Sequence, residues 1–230
     1  DHPQRPVVAT KVALRDVHGN PIPARNQRLH VEESVRRSLL LLQTDRLDLL
    51  KIHSAADTFL HDELVDVMQG LVDRGDVGAW GASTYGTAAL TDALSEPKVR
   101  VIQVAYSILD RRLKQELLPR ARAQGVGIVL RSVFLQGVLS DRRRNLQPSM
   151  AALTRAADEA AQIAEDAGLS LSQVALRFAL SENVGDIVIV GTARDKELRD
   201  NLKAFRDGPL PKDMIVALNS IHVDDPNLLN

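Results

Sequence analysis

The sequence contains no cysteine, and this absence removes several kinds of chemistry at once. Disulfide bonds, thiolate catalysis and cysteine-ligated zinc are excluded for all 230 residues. Aromatic residues are also scarce, at 3%, so Leu, Val, Ile and Ala must build the core. Nucleic-acid binding by base stacking is disfavoured because it requires exposed aromatic side chains.

An excess of one charge sign is also missing. The chain carries 29 Lys and Arg against 30 Asp and Glu, for a net charge of −1, which leaves no basic footprint for DNA or RNA. No apolar run approaches the roughly 18–20 residues that a membrane span requires, and the first residues lack the apolar core of a signal peptide. The sequence therefore predicts a cytoplasmic protein with neither a nucleic-acid nor a membrane partner.

What the chain does contain is a regular alternation of strand-length apolar runs and helical periodicity. The six predicted strands are 6–12, 47–53, 79–83, 99–106, 127–130 and 186–190. Predicted helices include 31–42, 87–94, 115–123, 149–167, 170–181, 195–204 and 211–220, with another after Asp57. This alternation predicts parallel strands joined by right-handed crossovers. No linker or change of composition divides the chain, so we predict one domain over residues 1–230.

The number of strands bears on the predicted fold class. A (β/α)8 TIM barrel typically takes about 250 residues and has eight strands, whereas six are predicted here, the first directly at the start of the chain. We therefore predict an α/β fold of the (β/α)8 barrel class, with the first two strands not present in the residues shown. Further residues are expected ahead of Asp1.

Polar side chains occur at or near the ends of successive predicted strands. Lys11 and His53 end the first two strands, Ser83 and Thr84 end the third, and Gln103 lies within the fourth. The carboxyl ends of parallel strands are where such folds bind ligands. Structural alternatives remain for each position, namely a solvated lysine, a structural histidine and a helix cap. The amide of Gln103 requires hydrogen-bond partners if it is buried in its aliphatic strand.

A glycine turn follows the last predicted strand. Gly191 and Thr192 lead through Ala193 to Arg194, immediately before a predicted helix. Backbone N–H groups at a helix N-terminus, with an adjacent arginine, suit a phosphate group. An ordinary glycine turn with a surface arginine is the alternative.

The ordered set of these motifs resembles the aldo-keto reductase family. The matching segments are 10–11, 38–49 with His53 closing the strand, 75–83, 103–107, 135–139, 190–192 and 200–202. This resemblance covers essentially the whole chain, in matching order and spacing. It implies a (β/α)8 barrel and NAD(P)(H)-dependent oxidoreductase activity.

The resemblance also implies catalytic roles. In that family a tyrosine donates a proton to the substrate carbonyl, a lysine lowers the pKa of that tyrosine, and a histidine orients the carbonyl. Lys11 and His53 match the lysine and the histidine. The family's Asp-x-x-x-x-Tyr-Gly segment lies on the preceding strand, so we expect it in about 50–60 upstream residues, the length of two strand–helix units. Tyr85 and Tyr106 lie on other strands and are not substitutes for this tyrosine.

The cofactor site implied by the resemblance is spread over several loops. The side chains that match those binding the nicotinamide carboxamide are Ser83, Thr84 and Gln103, and Arg131 falls where many members stack an aromatic ring. The loop covering the pyrophosphate and the segment around the adenosine match Ser132, Phe134, Gln136, Gly191, Thr192, Arg194, Glu197, Asp200 and Asn201. The expected cofactor is NADP(H), with NAD(H) as an alternative. Glu197 replaces an arginine of some NADP-preferring members, so recognition of the 2′-phosphate would fall mainly to Arg194.

The resulting functional hypothesis is hydride transfer between a nicotinamide cofactor and a small carbonyl or alcohol substrate, as in an aldo-keto reductase or alcohol dehydrogenase. Residues 80–86 and 131–137 look closest to branches that handle sugars and polyols. An alternative is a nucleotide-binding, non-catalytic barrel that acts as a binding or regulatory module. The sequence contains no metal-ligand cluster or carboxylate pair that would support another barrel chemistry, such as that of an isomerase.

Overall fold

The structure of the chain is a computed structural model that describes residues 5–55, 59–223 and 226–229. Asp57, predicted to precede a helix, lies outside the described residues. The chain forms two compact units, the first from residues 1–103 and 120–127 and the second from residues 104–119 and 128–230. Within the described part of the chain, no helix has the length and apolar character that crossing a bilayer requires.

The first unit is built on parallel strands that follow one another in chain order. Its strands are β1 (Ala9–Ala13), β2 (Leu47–Ala55), β3 (Val77–Thr84) and the start of β4 (Val101–Ala105). Parallel pairing joins β1 to β2, β2 to β3 and β3 to β4. The helices after the first three strands are α1 (Ala24–Leu42), α2 (Asp62–Asp73) and α3 (Gly86–Ala93), and α4 (Leu117–Ala123) follows β4.

The core of this unit is aliphatic, as the scarcity of aromatic residues predicts. Leu47, Leu50 and Ile52 of β2 are almost completely buried, together with Trp80 of β3. The next residue, Gly81, permits a close approach of β3 to β4, because a Cβ atom there would lie 1.8 Å from the carbonyl oxygen of Val101. A side chain at this position would therefore force the two strands apart.

The second unit contains the end of β4 and two further strands. β5 (Gly127–Arg131) pairs in parallel with β6 (Ile187–Val188). Its helices are α5 (Ala151–Asp166), α6 (Leu171–Ser181), α7 (Asp195–Arg206) and α8 (Lys212–Asn219). Short 3-10 turns occur at Leu135–Gly137, Asp141–Asn145, Pro148–Met150 and Pro226–Leu229.

The predicted elements are present, and the differences concern their ends. α1 begins at Ala24 rather than at residue 31, with Pro23 at its N-cap, because its first turns are polar and lack the apolar repeat that periodicity detects. β1 begins and ends later than predicted, so Lys11 lies at its centre rather than at its end. β6 is limited to Ile187–Val188, since the rest of the apolar run continues as coil toward Gly191.

Candidate active site

The predicted catalytic residues lie on the first two strands of the first unit. In the strand register, Lys11 is opposite Lys51, and Ala13 is opposite His53. The side chains of Lys11 and His53 are both exposed in this unit. β2 continues to Ala55, so His53 lies just inside the carboxyl end of its strand rather than at its last residue.

The predicted nicotinamide-contacting residues occupy the next two strands. Ser83 and Thr84 are buried at the carboxyl end of β3. Ser83 is opposite Gln103 of β4, and Thr84 is opposite Ala55 of β2. Gln103 is the central residue of β4, so the strand register brings it next to the carboxyl end of β3.

Sequence reasoning missed Lys51, the hydrogen-bond partner of the buried Gln103 amide. Lys51 is only 4% exposed, and its Nζ donates to Oε1 of Gln103 over 2.6 Å. Burial lowers the pKa of Lys51, and the positive charge of Lys11 lowers it further. One sequence feature could have identified Lys51, because it is a lysine within an otherwise aliphatic strand. It lies two residues before His53 and therefore on the same face of the strand.

The second unit contains a cavity with a volume of about 560 Å³. The predicted cofactor residues that line this cavity are Ser132, Phe134, Gln136, Gly191, Arg194, Glu197, Asp200 and Asn201. Two other predicted residues contact members of this set. Arg131 Nη1 donates to Ser132 Oγ over 3.0 Å, and Thr192 Oγ1 donates to Glu197 Oε2 over 2.8 Å. The structure thus brings together residues from two segments that are distant in sequence.

The backbone on one side of the cavity is locally strained. Ser132, Leu135 and Gln136 have φ values of 60°, 44° and 54°, in the left-handed region that non-glycine residues rarely adopt. Such conformations cost of order 1–3 kcal/mol each and concentrate at functional sites. The strain therefore supports a ligand-binding role for this loop.

Charges of both signs surround the N-terminus of α7 at the cavity. Arg194 is the N-cap residue of this helix, and its Nη1 lies 3.5 Å from Oε1 of Glu197. Arg142 Nη2 lies 3.6 Å from the same oxygen, so one carboxylate is close to two guanidinium groups. Lys196 donates to Asp200 over 2.8 Å, and this hydrogen bond raises the pKa of Lys196. The arginines and the helix N-terminus together suit a phosphorylated ligand.

Tyr106 is not arranged as an acid catalyst. Its ring is fully buried and stacks on Phe178, with 6.1 Å between the ring centroids. The hydroxyl donates to Oε2 of Glu182 over 3.0 Å. Burial and the negative charge of Glu182 raise the pKa of Tyr106, which makes the phenol a poorer proton donor.

A metal centre finds no support in the described ranges, because no group of three or more His, Asp or Glu side chains there could hold a metal ion.

Comparison with known proteins shows what this arrangement is similar to. The chain is 26% identical over 202 residues to the uncharacterized oxidoreductase YqkF of Bacillus subtilis, covering 83% of this chain and 65% of the relative. It is 27% identical over 233 residues to a probable voltage-gated potassium channel subunit beta of Arabidopsis thaliana, covering 89% of this chain and 69% of the relative. The chain thus spans about two thirds of the length of these curated relatives.

Among solved structures, the holo form of the aldo-keto reductase AKR11C1 from Bacillus halodurans matches with a TM-score of 0.78 and 25% identity, covering 94% of this chain and 72% of that chain. Together with the parallel strands in each unit, this match confirms the predicted α/β fold of the TIM-barrel class. The sequence pattern of the Aldo/keto reductase family matches residues 1–223. The chain therefore belongs to the aldo/keto reductase family.

Proposed function

We propose that the protein is an NAD(P)(H)-dependent oxidoreductase that interconverts a small carbonyl compound and its alcohol. The observation that carries this proposal is the cavity at the N-terminus of α7. Residues identified as cofactor-binding by the family resemblance line it from two separate segments. The volume of about 560 Å³ lies within the range of about 300–1,000 Å³ that is usual for small-molecule sites.

The residues of this cavity fit part of a nicotinamide dinucleotide. Arg194 and the N-terminus of α7 can bind phosphate oxygens, and Asp200 and Asn201 can hydrogen-bond sugar or base groups. Apart from Gly191 itself and its two chain neighbours, no heavy atom of the described residues lies within 4 Å of the position that a Cβ atom would take there, so a ligand can approach the backbone. Bound in this family's manner, the dinucleotide supplies or accepts a hydride at its nicotinamide ring.

Polar side chains of the first unit have the types required to orient the reacting groups. A ring N–H of His53 can donate to the oxygen of a substrate carbonyl and fix its direction. The ammonium of Lys11 favours the deprotonated form of a nearby phenol, since an opposite charge within ~4–6 Å stabilises the anion. Ser83, Thr84 and Gln103 are assigned to the nicotinamide carboxamide, and the planar guanidinium of Arg131 can lie flat against the nicotinamide ring.

We assign the cofactor as NADP(H), with NAD(H) as the alternative. The 2′-phosphate would pair with the guanidinium of Arg194. Glu197 opposes this assignment, because its carboxylate already lies 3.5 Å from that guanidinium, and an acidic residue can instead bind the ribose 2′-hydroxyl of NAD. On this proposal, the preference for NADP(H) over NAD(H) depends on how far the carboxylate of Glu197 neutralises the guanidinium of Arg194.

We favour a sugar or a related small polyol as the substrate, on the resemblance of residues 80–86 and 131–137 to branches that handle such compounds. The cytoplasmic location and the single domain over residues 1–230 stay predictions from the sequence.

A second candidate function is a nucleotide-binding module without turnover. The observation that favours it is the similarity to the probable potassium channel subunit beta of Arabidopsis thaliana. Such a module would bind the dinucleotide in the same cavity and would not need Lys11 or His53 for chemistry. Both functions require dinucleotide binding, and only the oxidoreductase requires turnover, so a measurement of turnover distinguishes them.

Replacement of Lys11 by Met tests the catalytic role. We expect the K11M variant to lose at least about 100-fold in turnover, the lower range for loss of a general acid–base component, while its affinity for NADPH stays unchanged. NADPH absorbance would follow the reduction of a panel of small aldehydes and sugar carbonyls. Lys98→Met, at an exposed lysine of the same unit, is the control.

Turnover in K11M equal to that of the Lys98→Met control would contradict the catalytic assignment of Lys11. Absence of turnover in the unmodified protein on the whole panel, together with intact NADPH binding, would favour the non-catalytic module.

A further inference from the structure

A buried lysine without a role in the proposed function lies in the middle of β2. Lys51 is 4% exposed and its partner Gln103 is 1% exposed. The Nζ to Oε1 distance of 2.6 Å is at the short end for a hydrogen bond, as expected when the donor is charged. Burying an ammonium group is costly unless a good acceptor replaces water, and the Gln103 carbonyl is that acceptor.

The strand order explains how this contact is made. Lys51 is opposite Gly81 of β3, and Gln103 lies on β4, which is paired to the other side of β3. The lysine side chain therefore reaches across one strand, at a position where that strand contributes no side chain of its own. The contact joins β2 directly to β4.

The contact with Lys51 determines how the Gln103 amide is oriented, that is, whether its oxygen or its nitrogen faces the lysine. An ammonium group has three donors and no acceptor, so the atom of Gln103 that faces Lys51 must be the oxygen. The amide is planar, with its oxygen and its NH2 group on separate bonds of the same trigonal carbon. The Nε2 group is therefore not the atom engaged by Lys51 and keeps its hydrogens for another acceptor.

We propose that Lys51 is a positioning residue that locks the Gln103 amide, so that Gln103 serves the bound ligand as a hydrogen-bond donor through Nε2. The matching ligand group is a carbonyl oxygen, and on the proposed function it is the carboxamide oxygen of the nicotinamide rather than its NH2 group. Without Lys51 the amide could rotate and offer either its oxygen or its nitrogen.

Replacement of Gln103 by Glu tests the donor role directly. Glu keeps the size of the side chain and an acceptor for Lys51, but it has no N–H group to offer. We expect Q103E to weaken NADPH and NADH at least about tenfold, the effect of losing a hydrogen bond worth about 1.4 kcal/mol. The acetylpyridine analogue of the dinucleotide, which has the carbonyl but no amide NH2, should weaken by the same factor.

The control is Gln115→Glu, which adds the same charge at an exposed glutamine, and circular dichroism establishes that each variant is folded. Affinity for NADPH in a folded Q103E equal to that of the control would overturn the donor role, since Glu retains every acceptor of Gln. Absence of dinucleotide binding by the unmodified protein would instead overturn the proposed function.

The role of Lys51 has a readout that needs no cofactor. In a protein labelled with ¹⁵N at glutamine, the side-chain NH2 signal of Gln103 is the one that disappears in Q103E. We expect Lys51→Met, which keeps an unbranched side chain of similar length, to shift and broaden this signal, because the amide is no longer held in one orientation. An unchanged signal in a folded Lys51→Met variant would overturn the positioning role, whatever the protein binds.

Discussion

At the level of single residues, the proposed choice between NADP(H) and NAD(H) depends on Arg194 and Glu197. Glu197 Oε1 is within 4 Å of the guanidinium groups of both Arg194 and Arg142, and its other oxygen accepts from Thr192. The guanidinium groups attract a 2′-phosphate, whereas the carboxylate repels it. A balance of this kind at one ribose is the physical basis for discrimination between NADP and NAD.

Removal of the Arg194 guanidinium should therefore affect one cofactor more than the other. We expect R194A to weaken NADPH about three- to tenfold more than NADH, less than a full charge-assisted hydrogen bond of about 1.5–3 kcal/mol because the group is exposed and already paired. Fluorescence titration measures both affinities. Arg199→Ala on the same helix, where the arginine pairs with Asp195, is the control, and equal losses for the two cofactors would refute the 2′-phosphate contact.

At the element scale, Glu182 connects several parts of the second unit. It is the C-cap residue of α6, and it accepts hydrogen bonds from Tyr106, the residue after β4, from Lys114 and from Asn219 of α8. Burial alone would raise the pKa of Glu182, but the hydrogen bonds and the charge of Lys114 outweigh it and lower that pKa. The carboxylate form is therefore favoured by folding.

This arrangement predicts a specific dependence of stability on pH. Because the pKa is lower in the folded state, Glu182 contributes stability above its ordinary pKa of about 4.3, and this contribution is lost as the pH falls through the folded value. We expect E182Q to cost about 1–3 kcal/mol at pH 7 and to show a smaller further loss in acid. Urea unfolding from pH 7 to pH 3 measures this, with Glu159→Gln at an exposed position of α5 as the control. A parallel pH dependence in E182Q and the control would contradict it.

Strands and helices were predictable where the apolar pattern is strong. The apolar runs of β2, β3 and β4 place His53 near the carboxyl end of β2, Ser83 near that of β3 and Gln103 within β4. Lys51 was not predicted, because a pattern of apolar residues treats a lysine as an interruption and gives no information on its partner two strands away. Gln103 becomes the partner of Lys51 because the lysine side chain passes over Gly81, which has no side chain of its own.

The sequence predicted which residues belong to the cofactor site, but it did not predict their backbone conformation or their ion pairs. Family resemblance selects Ser132 and Gln136, but nothing in their side chains indicates the left-handed backbone that both adopt. That conformation follows from the tertiary position of the loop, which over-determines the local backbone. The ion pairs of Glu197 likewise depend on Arg142, which is distant from it in sequence.

For the molecule as a whole, the proposed function requires that the chain bind a nicotinamide dinucleotide through the cavity at α7. The most direct measurement is a titration of NADPH with the protein, followed by NADPH fluorescence and by the Tm of the protein. The proposed function predicts a saturable change in fluorescence with one site per chain. It also predicts a rise in Tm, since a ligand at 100 times its Kd stabilises the native state by about 2.7 kcal/mol. A folded protein that changes neither the NADPH fluorescence nor its own Tm, with NADH equally without effect, would contradict it.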